Sequence, residues 1–466
     1  MKTKLLRLTA LLLALILCTV LSVSCTSSKM SGKTMLTLSK DGITVSLSVN
    51  YYELMLSRMK GVLYASGESY NGMNAATADF WNVQDTFNGT DYQTRDEFYR
   101  DLILENCKTA LVILYLFEKH VGDLSTTDKE ELSQLMNELV QADGQGSKTK
   151  LNAVLKEFGV NYDILEDVYA LESFQKPALK QALYGDNASL VGPNVKNDYL
   201  LDNFVRFRQI FVATYNYVYE TDENGDEIYY YPEGHESAGR IYYDKNNGET
   251  FAKTDGSVRT DKNGDVMYFV RGSKGEQILY DTVNGVRAVK IKDTLEETTP
   301  MTPEEKDEAR AEAQSLFSAL QDASNEEFEA ELVAREKRNG NTNYSLEYDD
   351  GFYLARNISY TQLGFSYMDE IIRTLDGMKD GEVALVPSDQ GYHIIKKYAP
   401  TESAYEKEEN LDYFFNDYFD FNNDLMEQLL LDECEKYYAD IKVNEKVVAA
   451  APSMKEVAIN GIQTYY

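Results

Sequence analysis

Few side chains in this 466-residue chain suit chemistry at neutral pH: it has three histidines and four cysteines. His393 stands in Gly391-Tyr392-His393-Ile394-Ile395-Lys396-Lys397. Read as a strand, the run sets His393 on the face of Ile395, where an imidazole can pass a hydrogen bond or a proton inside a site. It can equally be a core histidine bonded at a sheet edge, and both readings stay open. His120 and His235 have no matched partners and are expected to be solvated or capping residues. Cys107 and Cys434 each fall on an amphipathic helical stretch. Two buried thiols are the simple expectation, and a disulfide between them is the alternative. Asp222-Glu223-Asn224-Gly225-Asp226 and Asp261-Lys262-Asn263-Gly264-Asp265 have the acids of calcium loops. Their glycine comes too early for an EF-hand, so hairpin turns explain them better. No Gly-rich phosphate loop, G-x-S-x-G elbow or Cys/His cluster appears, so no cofactor and no metal is expected.

The elements around these residues change character along the chain. Lys2, Lys4 and Arg7, an apolar stretch from Leu8 to Val20 and small residues ending in Ser24-Cys25 have the order of a secretory signal. The apolar stretch is shorter than the ~20 residues a spanning helix needs. Residues 1–24 are therefore expected to be an export signal and 25–35 a tether. From 36 to 204 the pattern is mostly helical after the extended starts Leu36-Thr37-Leu38 and Ile43-Thr44-Val45-Ser46-Leu47. Phe98, Leu102, Leu104, Leu111, Leu114 and Phe117 mark one long helix, and Thr127-Asp128-Lys129-Glu130 reads as a capping box for the next. Between 205 and 400 strand signals dominate. The tyrosine-rich insert 215–300 carries Asn224-Gly225, Asn247-Gly248, Asn263-Gly264 and Asn284-Gly285, each a hairpin turn signal. Thr302-Pro303-Glu304-Glu305 and Ser324-Asn325-Glu326-Glu327 each open a helix. From 401 to 466 helical spacing returns, with Leu411, Phe414, Phe415, Tyr418, Leu425, Leu429, Cys434, Tyr437 and Ile441 on one face. That face is too apolar to stand alone and is expected to complete the N-terminal helical domain. The fold class expected is α+β, a discontinuous helical domain with an inserted antiparallel β/α domain that itself carries a hairpin insert.

Leu21-Ser22-Val23-Ser24-Cys25 resembles a bacterial lipobox, which implies a lipid on Cys25 and an extracytoplasmic, membrane-anchored chain. Gly381-Glu382-Val383 followed by Gly391-Tyr392-His393-Ile394-Ile395-Lys396 resembles the closing signature of parvulin-type peptidyl-prolyl isomerases, and Tyr344-Ser345 is similar to that family's Y-S-x-D. The order of strand, two helices, Gly351-Phe352-Tyr353-Leu354 and a helix near Met368 also fits. With helices before and after, the whole resembles the PrsA-type foldase lipoproteins, with SurA- and trigger-factor-like helical regions as chaperone domain. The resemblance implies a polar network of His393, Gln209 at the position of the family's first-strand histidine, and Glu347 at the acidic position. It implies a proline slot formed by Met368 and Ile371 or Ile372, with Tyr367 and Phe352 nearby. Gln209 can keep a hydrogen bond but cannot titrate, so the site departs from the family's pattern at the first-strand position.

The net charge of −31 repels phosphate backbones and anionic lipid surfaces, which argues against nucleic acid as a partner. Unfolded exported proteins are the partners the resemblance implies. Three readings follow: a foldase that binds clients and isomerises X-Pro bonds, a parvulin-fold binding platform without catalysis, and a wall-binding lipoprotein that uses the insert. The single tryptophan, Trp81, lies outside the insert, which weakens the third.

Overall fold

The computed structural model describes residues 32–459 apart from 88–89, 93, 218–228, 231–248, 251–256, 258–267, 272–276, 281–286, 291–297, 339–343 and 348. The expected export signal, Cys25, His235, the four Asn-Gly pairs and the two acidic segments lie outside the described residues. The chain is α+β and divides into two compact units, Met1–Gly192 with Phe421–Tyr466, and Pro193–Asp420. Among the described residues no helix is long and apolar enough to cross a membrane.

In the discontinuous unit, Thr34–Lys40 and Ile43–Ser48 form a hairpin to which Ile441–Val443 adds antiparallel, Leu36 facing Val443 and Leu38 facing Ile441. The turn needs two left-handed residues, and Asp41 (φ 54°) with Gly42 (φ 82°) supplies them. Helix Arg95–His120 opens on a capping box of Thr94 and Glu97. The next helix, Thr126–Ala142, opens on Ser125 with Asp128 answering. The box expected at Thr127 is thus shifted back, because of three consecutive hydroxyls it is Ser125 that reaches the Asp128 amide. Cys107 and Cys434 are both buried in this unit's core as free thiols, so the disulfide alternative is not realised.

The second unit carries the candidate site. The strands and helices that build its central layer, numbered within the unit, are β1 Phe204–Ala213, α1 Pro303–Leu320, α2 Asn325–Arg338, β2 Phe352–Ala355, α3 Ser366–Asp376, β3 Val383–Pro387 and β4 Gly391–Tyr398. The sheet order is β2-β1-β4-β3 and every pairing is antiparallel. Strand alternation sends Ile210, Val212 and Ile394 to α1 and α2, where Ala309, Ala313, Phe328 and Leu332 meet them. Val205, Phe207 and Ile395 go to the other face, against Ile371, Ile372 and Leu375 of α3. Gly391 allows β4 to close on β1, since a Cβ there would lie 2.3 Å from the Val212 carbonyl oxygen. Thr302 with Glu305 and Ser324 with Glu327 cap α1 and α2 as their sequences imply.

Between β1 and α1, Tyr215–Tyr217 pairs with Thr298–Pro300, and five short strands form an antiparallel sheet of their own. Nearly all of the insert's described residues therefore lie in β-strands. Residues 401–420 belong with this unit, not with the helical one as their spacing suggested. Helix Leu411–Phe414 is one turn long, and the Phe414 ring packs 5.0 Å from Phe204 and 5.1 Å from Tyr353. The Asp350 carboxylate fixes the segment by accepting from Thr401 Oγ1 at 3.1 Å, Lys407 Nζ at 3.0 Å and Asn410 Nδ2 at 3.2 Å.

Candidate active site

The site lies on the α3 face of the sheet. Pairing of β1 with β4 sets His393 opposite Phe211 and Ile395 opposite Gln209, so the Gln209 and His393 side chains share a face on neighbouring strands. They meet: His393 Nδ1 donates to Gln209 Oε1 over 3.0 Å. In the neutral ring that makes the other nitrogen an acceptor, and Ser388 Oγ lies 3.0 Å from Nε2, where its hydroxyl can donate to the ring in place of the Gly391 carbonyl 3.2 Å away. Ser388 is itself held in the β3–β4 turn, its oxygen accepting from the amides of Gln390 at 3.2 Å and Gly391 at 3.1 Å. Each polar atom of the imidazole therefore has a partner of the right sense.

His393 is only 4 % exposed. Burial pushes the imidazole down to about 4, although the nearby Asp389 carboxylate pulls the other way. The ring is thus held neutral at physiological pH, with one nitrogen to donate and one to accept. One face of it is covered by Tyr367 from the first turn of α3, with centroids 5.1 Å apart and ring planes 8° from parallel. Phe211 lies beside it at 4.8 Å. Burial also raises the Tyr367 phenol, with Asp389 adding to the effect.

The apolar residues divide by depth. Ile371 and Ile372 are buried beneath α3, while Met368, Phe352 and Tyr367 are partly exposed at the rim of the same core. Phe352 stacks on Phe207 with centroids 5.3 Å apart. Tyr367, Ile371 and Leu375 follow one another at four-residue intervals on one stripe of α3, and of these it is the Tyr367 ring that stacks on the histidine. Glu347 is placed elsewhere: it is exposed in the turn before β2, where its amide donates to Ser345 Oγ at 3.2 Å. Tyr344 donates to Asp349, and Arg206 pairs with Asp350 at 2.8 Å. The structure thus brings Gln209, Tyr367 and His393 together and leaves Glu347 outside that set, with Asp389 as the carboxylate that acts on the histidine. Ser388, Phe211 and Asp389 were not singled out from sequence. The available signal for Ser388 and Asp389 was their position in the turn that β3 and β4 must share.

The second unit is defined by these features as an antiparallel β/α module with helices on both sheet faces and a buried, neutral histidine site on one of them. No family model matches the chain, and no curated protein matches it. A solved structure of PrsA from Bacillus subtilis aligns over 80% of this chain and 94% of that chain at 14% sequence identity, with a TM-score of 0.16. A likeness that slight carries no argument about activity.

Proposed function

We propose that this chain is an extracytoplasmic, lipid-anchored foldase that binds unfolded exported proteins and speeds cis-trans isomerisation of their X-Pro bonds. The observation that carries the reading is the hydrogen-bonded chain from Gln209 through His393 to Ser388, set beside the apolar rim of Met368 and Phe352. The parvulin-like Gly381–Glu382 and Gly391–Lys396 signature supports it, and the signal-like N-terminus supports the location.

Rotation about an X-Pro bond meets a barrier of ~20 kcal/mol because amide resonance must be lost. No bond breaks, so the catalyst has to bind the twisted amide better than either planar form. An apolar rim takes the prolyl ring. Because His393 holds Oε1 of Gln209, the amide group of that glutamine is aimed, and its N–H donors are left for the client carbonyl. The neutral histidine is a positioning group in this scheme. It brings no charge into a dry site, which favours the less polar, twisted amide.

A second reading, a client-binding platform without catalysis, draws on Gln209 and on the Tyr367 ring that covers His393. The rate of cis-to-trans conversion in a short proline peptide separates the two. Acceleration by the protein from Thr26 onward, lost in His393→Ala, supports the isomerase; no acceleration by either leaves the platform.

A further inference from the structure

Resting on the isomerase reading, we infer that Tyr367 is a built-in ligand of this site: its ring fills, against His393, the place that a client's prolyl ring takes, and it must swing away before a client can bind. The stacking is flat, 8° between planes at 5.1 Å, so the Tyr367 ring meets His393 by its face and not by its edge. Both His393 nitrogens are committed to Gln209 and Ser388, so the face of the ring is what a prolyl ring can pack on. Tyr367 covers that face.

The attachment of Tyr367 is built to let it move. It sits in the first turn of α3, whose N-cap residue, Phe365, makes no side-chain capping bond, and the preceding Gly364 has φ 90°. Phe365 itself is 42% exposed. The loop before the helix is anchored by a different residue: Asp369 accepts from the Tyr360 amide at 3.0 Å and the Thr361 amide at 2.8 Å. The helix start can therefore stay in place while the half-buried Tyr367 side chain changes rotamer. A client pays for displacing the ring through the fraction of time the site is open, since apparent affinity falls in proportion to that fraction.

The test uses the protein from Thr26 onward, which keeps both compact units, with a short proline peptide as probe. In the unliganded protein the His393 ring protons should show the ring-current shift of a stacked aromatic. The part of that shift due to Tyr367 should be lost in Tyr367→Ala, and also in the wild type once the peptide is saturating, leaving only the part due to Phe211. Tyr367→Ala should bind the peptide about tenfold more tightly, as an open fraction near one tenth would give. Tyr367→Phe, which keeps the ring, should behave as wild type. Weaker or equal binding by Tyr367→Ala overturns the inference, because the ring would then be a contact or a bystander. So does peptide binding that leaves the ring-current shift in place. Tighter binding by Tyr367→Ala without rate acceleration by any of the three proteins upholds the inference and retires the isomerase instead.

Discussion

Gln209 and His393 lie on neighbouring antiparallel strands and are joined through Oε1 and Nδ1 at 3.0 Å, an amide bonded to a ring that is almost wholly buried. The relationship is directional, because a carbonyl oxygen can only accept. It fixes which nitrogen of His393 carries the proton.

Replacing the acceptor should therefore be costly in two ways. Gln209→Leu leaves the Nδ1–H of a buried ring unpaired, which is expected to destabilise the second unit by about 1–3 kcal/mol. It also removes the aimed amide donors, so isomerisation of a proline peptide should fall even where the variant is fully folded. Urea unfolding followed by circular dichroism, together with the peptide rate below the transition, measures both. A folded Gln209→Leu with an undiminished rate would contradict the role given to this amide.

The pH dependence follows from the burial of His393. Its imidazole is held down at about 4, against an ordinary value of 6.5 in the unfolded chain. Between those values the unfolded state binds a proton that the folded state refuses, so stability is lost as pH falls from about 6.5 toward 4. The slope is ~1.4 kcal/mol per pH unit and the total about 3 kcal/mol. Above about pH 6.5 this contribution is flat. His393→Gln should remove that component of the acid sensitivity, seen as a shallower fall of the unfolding midpoint between about pH 6 and 4.5. An unchanged profile would mean that the ring already titrates freely.

The parts of the fold that could be read from sequence are those set by local chemistry. The caps of α1 and α2 are written in Thr302-Pro303 and Ser324-Asn325, where a hydroxyl and a glutamate three residues on satisfy free amides. The Gln209–His393 meeting was legible because strand alternation fixes which side chains share a face. Residues 401–420 were misplaced because Leu411, Phe414 and Tyr418 have helical spacing, and spacing does not name a partner. What binds them is Asp350, whose contacts lie 51 to 60 residues away in the chain. Tyr367 was legible as a neighbour of the slot, but its stacking on His393 depends on the register of α3, which periodicity leaves open by one residue.

Asp350 should behave as the anchor of that segment. Its carboxylate is lowered in spite of burial, which alone would raise it, because Lys407, Tyr353, Arg206 and Asn410 favour the charged form. Stability from this source is present above the ordinary carboxylate value and is lost as pH falls through the lower folded value. Asp350→Ala removes the side-chain acceptor from Lys407 and Arg206 at once and, since Lys407 is partly exposed and Arg206 keeps its backbone carbonyl partners, is expected to cost about 1.5–3 kcal/mol. Limited proteolysis should show new cleavage within 401–420, while Trp81 fluorescence, which reports the other unit's core, keeps its wild-type unfolding midpoint. Loss of both signals together would show the two units to unfold as one.

In the helical unit the corresponding buried charge pair is Arg58 with Glu172, 3.2 Å apart, with side chains 5% and 1% exposed. Glu172 sits in the π-helical turn Ala170–Gln175, a rare geometry that re-aims side chains within a continuous helix. Removing the cation alone leaves a carboxylate in a dry core, so Arg58→Ala is expected to cost about 3–5 kcal/mol. Replacing both, as Arg58→Met with Glu172→Leu, abolishes the desolvation of two ions as well as their attraction, and should be neutral or stabilising by about 1–4 kcal/mol. Trp81 is the single tryptophan and is fully buried in the same core, so its fluorescence in urea follows this unit without interference from the other. If the double replacement is as damaging as Arg58→Ala, the pair contributes net stability and the π turn is held by charge; if it is harmless, apolar packing around Leu171 and Val168 suffices to hold it.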